Sequence, residues 1–424
     1  MNSVLKKVRK KAVFSETKIH TQKPKNSGGG VKITPDNFFL FIFIFWDVTE
    51  IIFGTTAESI LGLPTNQANS MVSYIILLLL MVHIIVFQKF KEKELYAIMI
   101  ISFPVIFSAL KSSNYSLLSG WMFIIASQKS DFEKLIRTAY KILRLMIPLV
   151  IICYFAGLLE DYTILRNETL RHSWGFGHPN LFGLRLFQLT ACHLYIKRNS
   201  FGFLDFFLAV AVMALEYLVP NSQTAFMSTL ILLMTFAFYK ICEKYKMSLV
   251  QVYAKALILL AAVFNVLSVV WSVLDVRQNH ILSQIDSWMS QRFWQCHKVY
   301  LLYGIPVFGQ KVFISEAERE LVGITYDLYL DNGYMALLIR YGILVYGIFS
   351  VCYLSAMIFL YRKKQWYLLI ILFIYALYGV MENGNYRITH NIFLFSFGSI
   401  LYGKAFRKRT WLPFGELQVK GRKR

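Results

Sequence analysis

Charge is what this sequence has least of. Acidic residues number 24 in 424, and charged residues of both signs make up 16% of the chain. A soluble domain carries nearer a quarter, so the class is set as membrane before any segment is inspected. Cysteine is scarce too. Of the five, Cys153, Cys192, Cys242 and Cys352 fall in or beside apolar runs, and Cys296 alone lies in a polar loop, which leaves no disulfide framework. There is no Walker loop, no Cys-x-x-Cys or histidine-rich metal pattern, no Asp-x-Asp motif and no catalytic-serine elbow, so no metal or cofactor is expected. Internal repeats and coiled-coil heptads are missing. Residues 1–36 are basic and polar without an apolar h-region, so no cleavable signal peptide is expected.

What is present is apolar. Hydrophobic residues reach 56%, with 36 Phe and 25 Tyr. Apolar runs recur near 38–55, 71–88, 95–110, 116–128, 142–158, 180–196, 203–219, 224–239, 254–273, 333–360, 367–381 and 391–403. A bilayer-crossing helix takes about 20 apolar residues and satisfies its own backbone, so these runs predict an all-α polytopic membrane protein with about 12 spans. The domains follow: a basic tail over 1–36, a transmembrane domain over 37–405, and a second basic tail over 406–424.

The net charge of +21 would suggest nucleic acid in a soluble chain, but here the positive charge sits between apolar runs. Lys89, Lys91, Lys93, Lys134, Arg137, Lys141, Lys197, Arg198, Lys240, Lys244, Arg362, Lys363 and Lys364 fall on one side together with both tails. Short loops rich in Lys and Arg stay cytoplasmic, so both termini are predicted inside. Nucleic acid is excluded as a partner, and membrane lipid is expected at the basic tails. Two larger loops, 159–178 and 274–332, are predicted on the extracellular side.

Out there the basic residues are mostly arginine: Arg166, Arg171, Arg277, Arg292, Arg319 and Arg387. Topology alone does not require this. Guanidinium grips phosphate and carboxylate oxygens in pairs, where lysine is a point charge. Arg166, Arg171, Arg185 and Arg292 are therefore candidate anion ligands; the alternative is surface arginines paired with Glu160, Glu316, Glu318 or Glu320. Arg171-His172-Ser173-Trp174-Gly175-Phe176-Gly177-His178-Pro179-Asn180 runs straight into an apolar helix, with Pro179 suited to its first turn and free N–H groups available to an anion. His178 is a candidate base or a capping residue. Arg185 lies seven residues on, on the same helix face. Asp331, where the second loop re-enters the membrane, is the other candidate base; its bland reading is a helix cap, and Asp327 competes with it. Asp47 and Glu50 read as structural charges for Arg185 or Arg340. Glu382, Arg387 and His390 read as a salt-bridged turn.

Several of these segments together are similar to a known family. Gly175-Phe176-Gly177-His178-Pro179-Asn180, Asn221-Ser222-Gln223-Thr224, Ser290-Gln291-Arg292, Tyr303-Gly304-Ile305-Pro306-Val307-Phe308-Gly309-Gln310, Asp331-Asn332-Gly333-Tyr334 with Arg340-Tyr341-Gly342, and His390-Asn391 occur in order. The chain in this way resembles bacterial polysaccharide polymerases of the Wzy type, related to the O-antigen ligases. Gln223 stands where that family usually has arginine. The resemblance implies glycosyl transfer between undecaprenyl-pyrophosphate-linked oligosaccharides at the outer leaflet of the bacterial cell membrane. It implies Asp331 or His178 as base, with Asn180, Gln310, Tyr334 and Arg340 joining the arginines as substrate-binding residues. A chain-length regulator or flippase of the same pathway is an expected partner. A ligase using another acceptor, or a flippase for lipid-linked oligosaccharides, are the alternatives; a transporter would call for repeated halves and helices broken near the midplane.

Overall fold

The computed structural model describes residues 34–403 apart from Asn167, Lys246 and Val322, so the two basic tails lie outside the described residues. The described chain is all-α, with two short hairpins. Six helices are long and apolar enough to cross a membrane: α2 (Thr65–Phe87), α3 (Glu92–Ser112), α5 (Phe132–Phe155), α8 (Gln223–Tyr245), α9 (Met247–Val273) and α14 (Ile343–Arg362). Each presents large apolar side chains outward, as at Ile85, Ile100 and Phe103. A continuous apolar exterior of that kind is incompatible with water on all sides.

The remaining apolar runs fold differently. Helices α1 (Pro35–Phe53) and α6 (Pro179–Lys197) have 19 residues each, but carry Asp47 and Glu50, and Arg185, in their interiors. Helix α4 (Ser116–Ala126) is 11 residues long, α7 (Phe203–Leu218) 16 and α15 (Trp366–Met381) 16. Helix α15 packs against α8 and α9 and is buried along nearly its whole length, so its neighbours, not lipid, cover its apolar surface. The 391–403 run becomes a 3₁₀ segment, Ile392–Phe397, and a single turn, α16 (Gly398–Tyr402). The 333–360 run is two pieces. One turn, α13 (Gly333–Ala336), passes into a π turn over Leu337–Tyr341 and ends at Gly342 before α14 begins. At Gly342 φ is +91°, and a Cβ there would lie 2.6 Å from the Val307 carbonyl oxygen. Only glycine permits that corner.

Between these helices lie the pieces that build the site. Hairpin β1 (Ser59–Ile60) with β2 (Leu63–Pro64) precedes α2, and hairpin β3 (Ile164–Arg166) with β4 (Thr169–Arg171) precedes α6. The 274–332 stretch folds into α10 (His280–Trp288), α11 (Arg292–Tyr303) and the short α12 (Glu316–Leu321). Helix α10 exposes Ile281 and Trp288, the pattern of a helix lying on an interface.

Candidate functional site

The glycine–histidine segment is pinned from both sides. Gly177 N–H donates to the Gly54 carbonyl at 2.8 Å, and Phe176 stacks on Phe182. Asp161 accepts from the N–H groups of Ser173 and Trp174 at 2.8 and 3.0 Å, and its other oxygen stands 2.6 Å from His172 Nδ1. Helix α6 can then approach the Asn221–Ala225 turn, because a Cβ at Gly183 would fall 2.4 Å from that of Ser222. Trp174, Asn221, Ser290 and Gln291 all take positive φ without being glycine. Such backbone costs of order 1–3 kcal/mol per residue and concentrates where geometry is over-determined for function.

His178 caps α6. Its Nδ1 accepts from Asn180 N–H at 3.0 Å. Burial, then the positive charge of Arg171, hold its pKa below the ordinary histidine value, so the ring is neutral at pH 7. A neutral ring whose Nδ1 lone pair is engaged carries its proton on Nε2. His178, which lines the cavity, is therefore a hydrogen-bond donor there.

The cap of α13 is Asn332, whose Oδ1 accepts from Tyr334 and Met335 N–H at 3.0 and 3.1 Å. That corrects the reading of Asp331 as the capping residue. Asp331 Oδ2 lies instead 2.5 Å from Arg292 Nη1, while Arg292 Nη2 donates to Glu382 Oε1 at 2.9 Å. Burial opposes the charge on Arg292, yet Glu382 and Asp331 keep its pKa above the usual value. Burial pushes Glu382 up to about 7; Arg292 draws it back, and Asp331 adds to the rise. Asn180 ties in two more groups: its Nδ2 donates to Glu382 Oε1 at 2.9 Å, and its Oδ1 accepts from Arg171 Nη2. Arg171 Nε donates to the Pro220 carbonyl at 2.9 Å, and Arg166 Nη2 donates to Gln223 Oε1 at 2.8 Å and to Ser290 Oγ. Burial and then the neighbouring Arg166 bring Arg171 down to about 10, so it stays charged. Three guanidiniums are thus crowded around two carboxylates.

These groups surround a chamber of about 280 Å³ lined by His178, Asn180, Tyr329, Asp331, Glu382 and His390. Arg171 and Arg292 stand behind its wall, reached through Asn180 and the two carboxylates, while Arg166 is held by Gln223 and Ser290. Beside it, past Gln223 and Thr224, is an apolar cavity of about 550 Å³ lined by Tyr217, Phe226, Phe264, Trp288 and Leu377. Thr224 Oγ1 lies 3.5 Å from Glu382 Oε1, so the two spaces share a wall.

Four expected ligands lie elsewhere. Tyr334 is buried with its hydroxyl donating to the Ala376 carbonyl at 2.9 Å. Gln310 Nε2 donates to the Tyr303 and Ile339 carbonyls at 3.1 and 3.2 Å, bracing a loop. Arg340 sits in the π turn, where its carbonyl accepts from Gln310 N–H. Arg185 is buried beneath the chamber, donating to Gln188 Oε1 and the Thr389 carbonyl, with Asp47 and Glu50 as its balancing charges. Of the other loop arginines, Arg277 lies over Trp294 and Arg319 pairs with Asp327 at 2.7 Å; Asp327 is not among the residues lining the chamber. The expected Glu382–Arg387 bridge does not form among the described residues, since Glu382 is held by Arg292. Glu382 is the residue that sequence reasoning undervalued: it accepts from Arg292, Asn180 and Thr224 at once. The one available signal was its carboxylate at the end of an apolar run. The chain matches no family model, no curated protein and no solved structure.

Proposed function

We propose that this multi-pass membrane protein is a polysaccharide polymerase. It joins undecaprenyl-pyrophosphate-linked oligosaccharide repeat units by glycosyl transfer at the outer face of a bacterial cell membrane. About twelve membrane-embedded segments and cytoplasmic termini belong to this reading, supported by the lysine-rich loops. One observation carries it: Arg292, with Arg171 near it, bridges from behind two carboxylates that line a chamber flanked by an apolar cavity. A diphosphate and a polyprenyl tail ask for those two environments side by side.

In the resting protein Asp331 and Glu382 occupy the Arg292 fork. A diphosphate competes for the same donors with more charge and better bidentate geometry. As it takes Arg292, Asp331 is released to act on the acceptor. The acceptor sugar's hydroxyl oxygen then bonds to the anomeric carbon of the lipid-linked chain, and Asp331 takes the hydroxyl proton. The bond from that carbon to the diphosphate oxygen breaks, and its electron pair leaves on undecaprenyl pyrophosphate. Arginines already in position stabilise the charge forming there, the largest contribution in many such sites. His178, with its proton on Nε2, donates to a phosphate or sugar oxygen.

The test is polymer length in cells carrying Arg292→Ala or Asp331→Asn. Both variants should lose long polymer while single lipid-linked repeats accumulate on the outer leaflet. Long polymer made by both variants would sink the mechanism. Repeats trapped on the inner leaflet would favour a flippase.

A further inference from the structure

On the other side of the Gly384–Asn391 segment is a second chamber, of about 370 Å³. It is bounded by the start of α2, the Ser113–Ser119 turn and residues 387–390; His178, Asp331, Glu382 and Arg292 do not line it, whereas Glu50 and Thr389, the partners of the buried Arg185, do. Its chemistry differs from that of the first chamber. Asn69, Ser73, Ser116 and Ser119 supply hydroxyl and amide groups, and Trp46 and Tyr74 supply ring faces. Its charged side chains, Glu50 and Arg387, oppose one another in sign. Asn114 Oδ1 is already engaged by Ser116 and Tyr341, which fixes the turn and leaves its amide N–H groups as donors. The chamber lacks the excess of cations an anion would need and the apolar lining a lipid tail would need. Hydroxyls, amides and flat rings at near-zero net charge suit one ligand class, a sugar, whose oxygens take hydrogen bonds while its C–H faces lie on rings.

We propose that this chamber is a saccharide-binding site for an uncharged, hydroxyl-rich stretch of glycan, distinct from the arginine-backed chamber and meeting it at His390. On the polymerase reading, on which this assignment of role alone rests, the glycan held here is the acceptor, whose terminal hydroxyl is presented past His390 toward Asp331. The shared wall residue makes that geometry available: His390 lines both spaces, and Gly384 lets it lie close, since a Cβ there would be 2.4 Å from His390 Nδ1.

The full-length protein in phosphatidylcholine nanodiscs is titrated calorimetrically with two probes. One is a set of phosphate-free oligosaccharide fragments prepared from the surface polysaccharide of the organism that makes this chain; the other is inorganic pyrophosphate. Ser73→Phe, which fills the chamber, and Asn69→Ala, which removes an amide, should each weaken fragment binding by roughly tenfold, the worth of one or two hydrogen bonds. Pyrophosphate binding should be unchanged in both, which shows in the same experiment that the variants are folded. Fragment binding that ignores both substitutions, that vanishes only in Arg292→Ala, or that is absent from the unmodified protein overturns the proposal. Pyrophosphate failing to bind, with fragments still lost in Ser73→Phe, would defeat the polymerase reading and leave the saccharide site standing.

Discussion

Two chambers lie on either side of one short segment, Gly384 to Asn391, and they are built by different means. The first takes its polar groups from loops: a strained turn at Ser290–Gln291, a hairpin at 164–171, the capped start of α6 and the end of α15. Its charges are buried, cross-linked and out of balance, with three guanidiniums against Asp331 and a Glu382 raised to about 7. The second takes most of its groups from helix α2 and a serine-rich turn, and its charges cancel. On the proposed function, an over-charged site held by strained loops suits charge that forms during a reaction. A neutral site of hydroxyls and rings is organised for binding that does not change as bonds break. Interactions stronger in the transition state raise kcat, whereas uniform binding lowers KM, so the two chambers should separate in kinetics.

The sharpest way to break that contrast is Arg292→Ala. It should lower the polymerisation rate by about 10²–10³, the usual loss for one charge-stabilising donor, while leaving fragment affinity alone. Arg292→Lys should restore little, because a point charge cannot serve Asp331 and Glu382, or a diphosphate, as a fork does. Ser73→Phe should do the reverse, raising KM for the repeat unit with kcat nearly kept. Steady-state kinetics with a defined lipid-linked repeat would decide it; a kcat loss in Ser73→Phe as deep as in Arg292→Ala would merge the two chambers into one.

The difference between the chambers also explains what could be read from the sequence. The arginine bias of the loops expected outside the membrane named Arg166, Arg171 and Arg292, because guanidinium in place of lysine is a chemical choice that a hydropathy pattern leaves unexplained. Asp331 and His178 were visible as polar groups at helix starts, but the division of labour around them was not. Which of Asp331 and Asn332 caps α13 depends on one residue of register, and the tautomer of His178 depends on a backbone N–H. Tyr334, Gln310 and Arg340 match the motifs of the family the sequence resembles yet do not line the chamber, because the run that holds two of them breaks at Gly342 into a π turn and a new helix. Hydropathy averages over such a break. The second chamber was invisible for the same reason. Asn69 precedes an apolar run and Ser73 is a mild interruption of it, and only folding brings them opposite Ser116 and Arg387.

A smaller effect follows from Glu382. Burial lifts its pKa to about 7, so lowering the pH from 8 to 6 protonates it and removes one of the two negative charges held by Arg292. The first chamber becomes more positive, and pyrophosphate should bind severalfold more tightly at pH 6 than at pH 8. Pyrophosphate itself titrates in this range, so the comparison is with Glu382→Gln, which should show the ligand's own pH dependence and nothing more. Fragment binding in the second chamber should be flat over the same range. Identical pH profiles for the two proteins would remove Glu382 from the anion site.

The smallest effect concerns the loop that feeds only the first chamber. Burial works to raise the Asp161 pKa, but the hydrogen bond to His172 and the N–H groups of Ser173 and Trp174 hold it below the ordinary aspartate value. A carboxylate with a depressed folded-state pKa stabilises the fold above its unfolded value of about 3.9 and loses that contribution as the pH falls through the folded one. The 159–178 loop should therefore loosen only in strong acid, and Asp161→Asn should loosen it at neutral pH. Hydrogen exchange checks this at fixed pH 7: the Ser173 and Trp174 amides should exchange roughly tenfold faster in the variant, the scale of hydrogen bonds to a charged acceptor. Amides at the start of α2, on the second chamber, should keep their rates. Because Ser173 and Trp174 lead directly into the His178 cap, the same variant should weaken pyrophosphate binding before it touches fragment binding. If both fell together, the segment between the chambers would have to move as one body, and their independence would be lost.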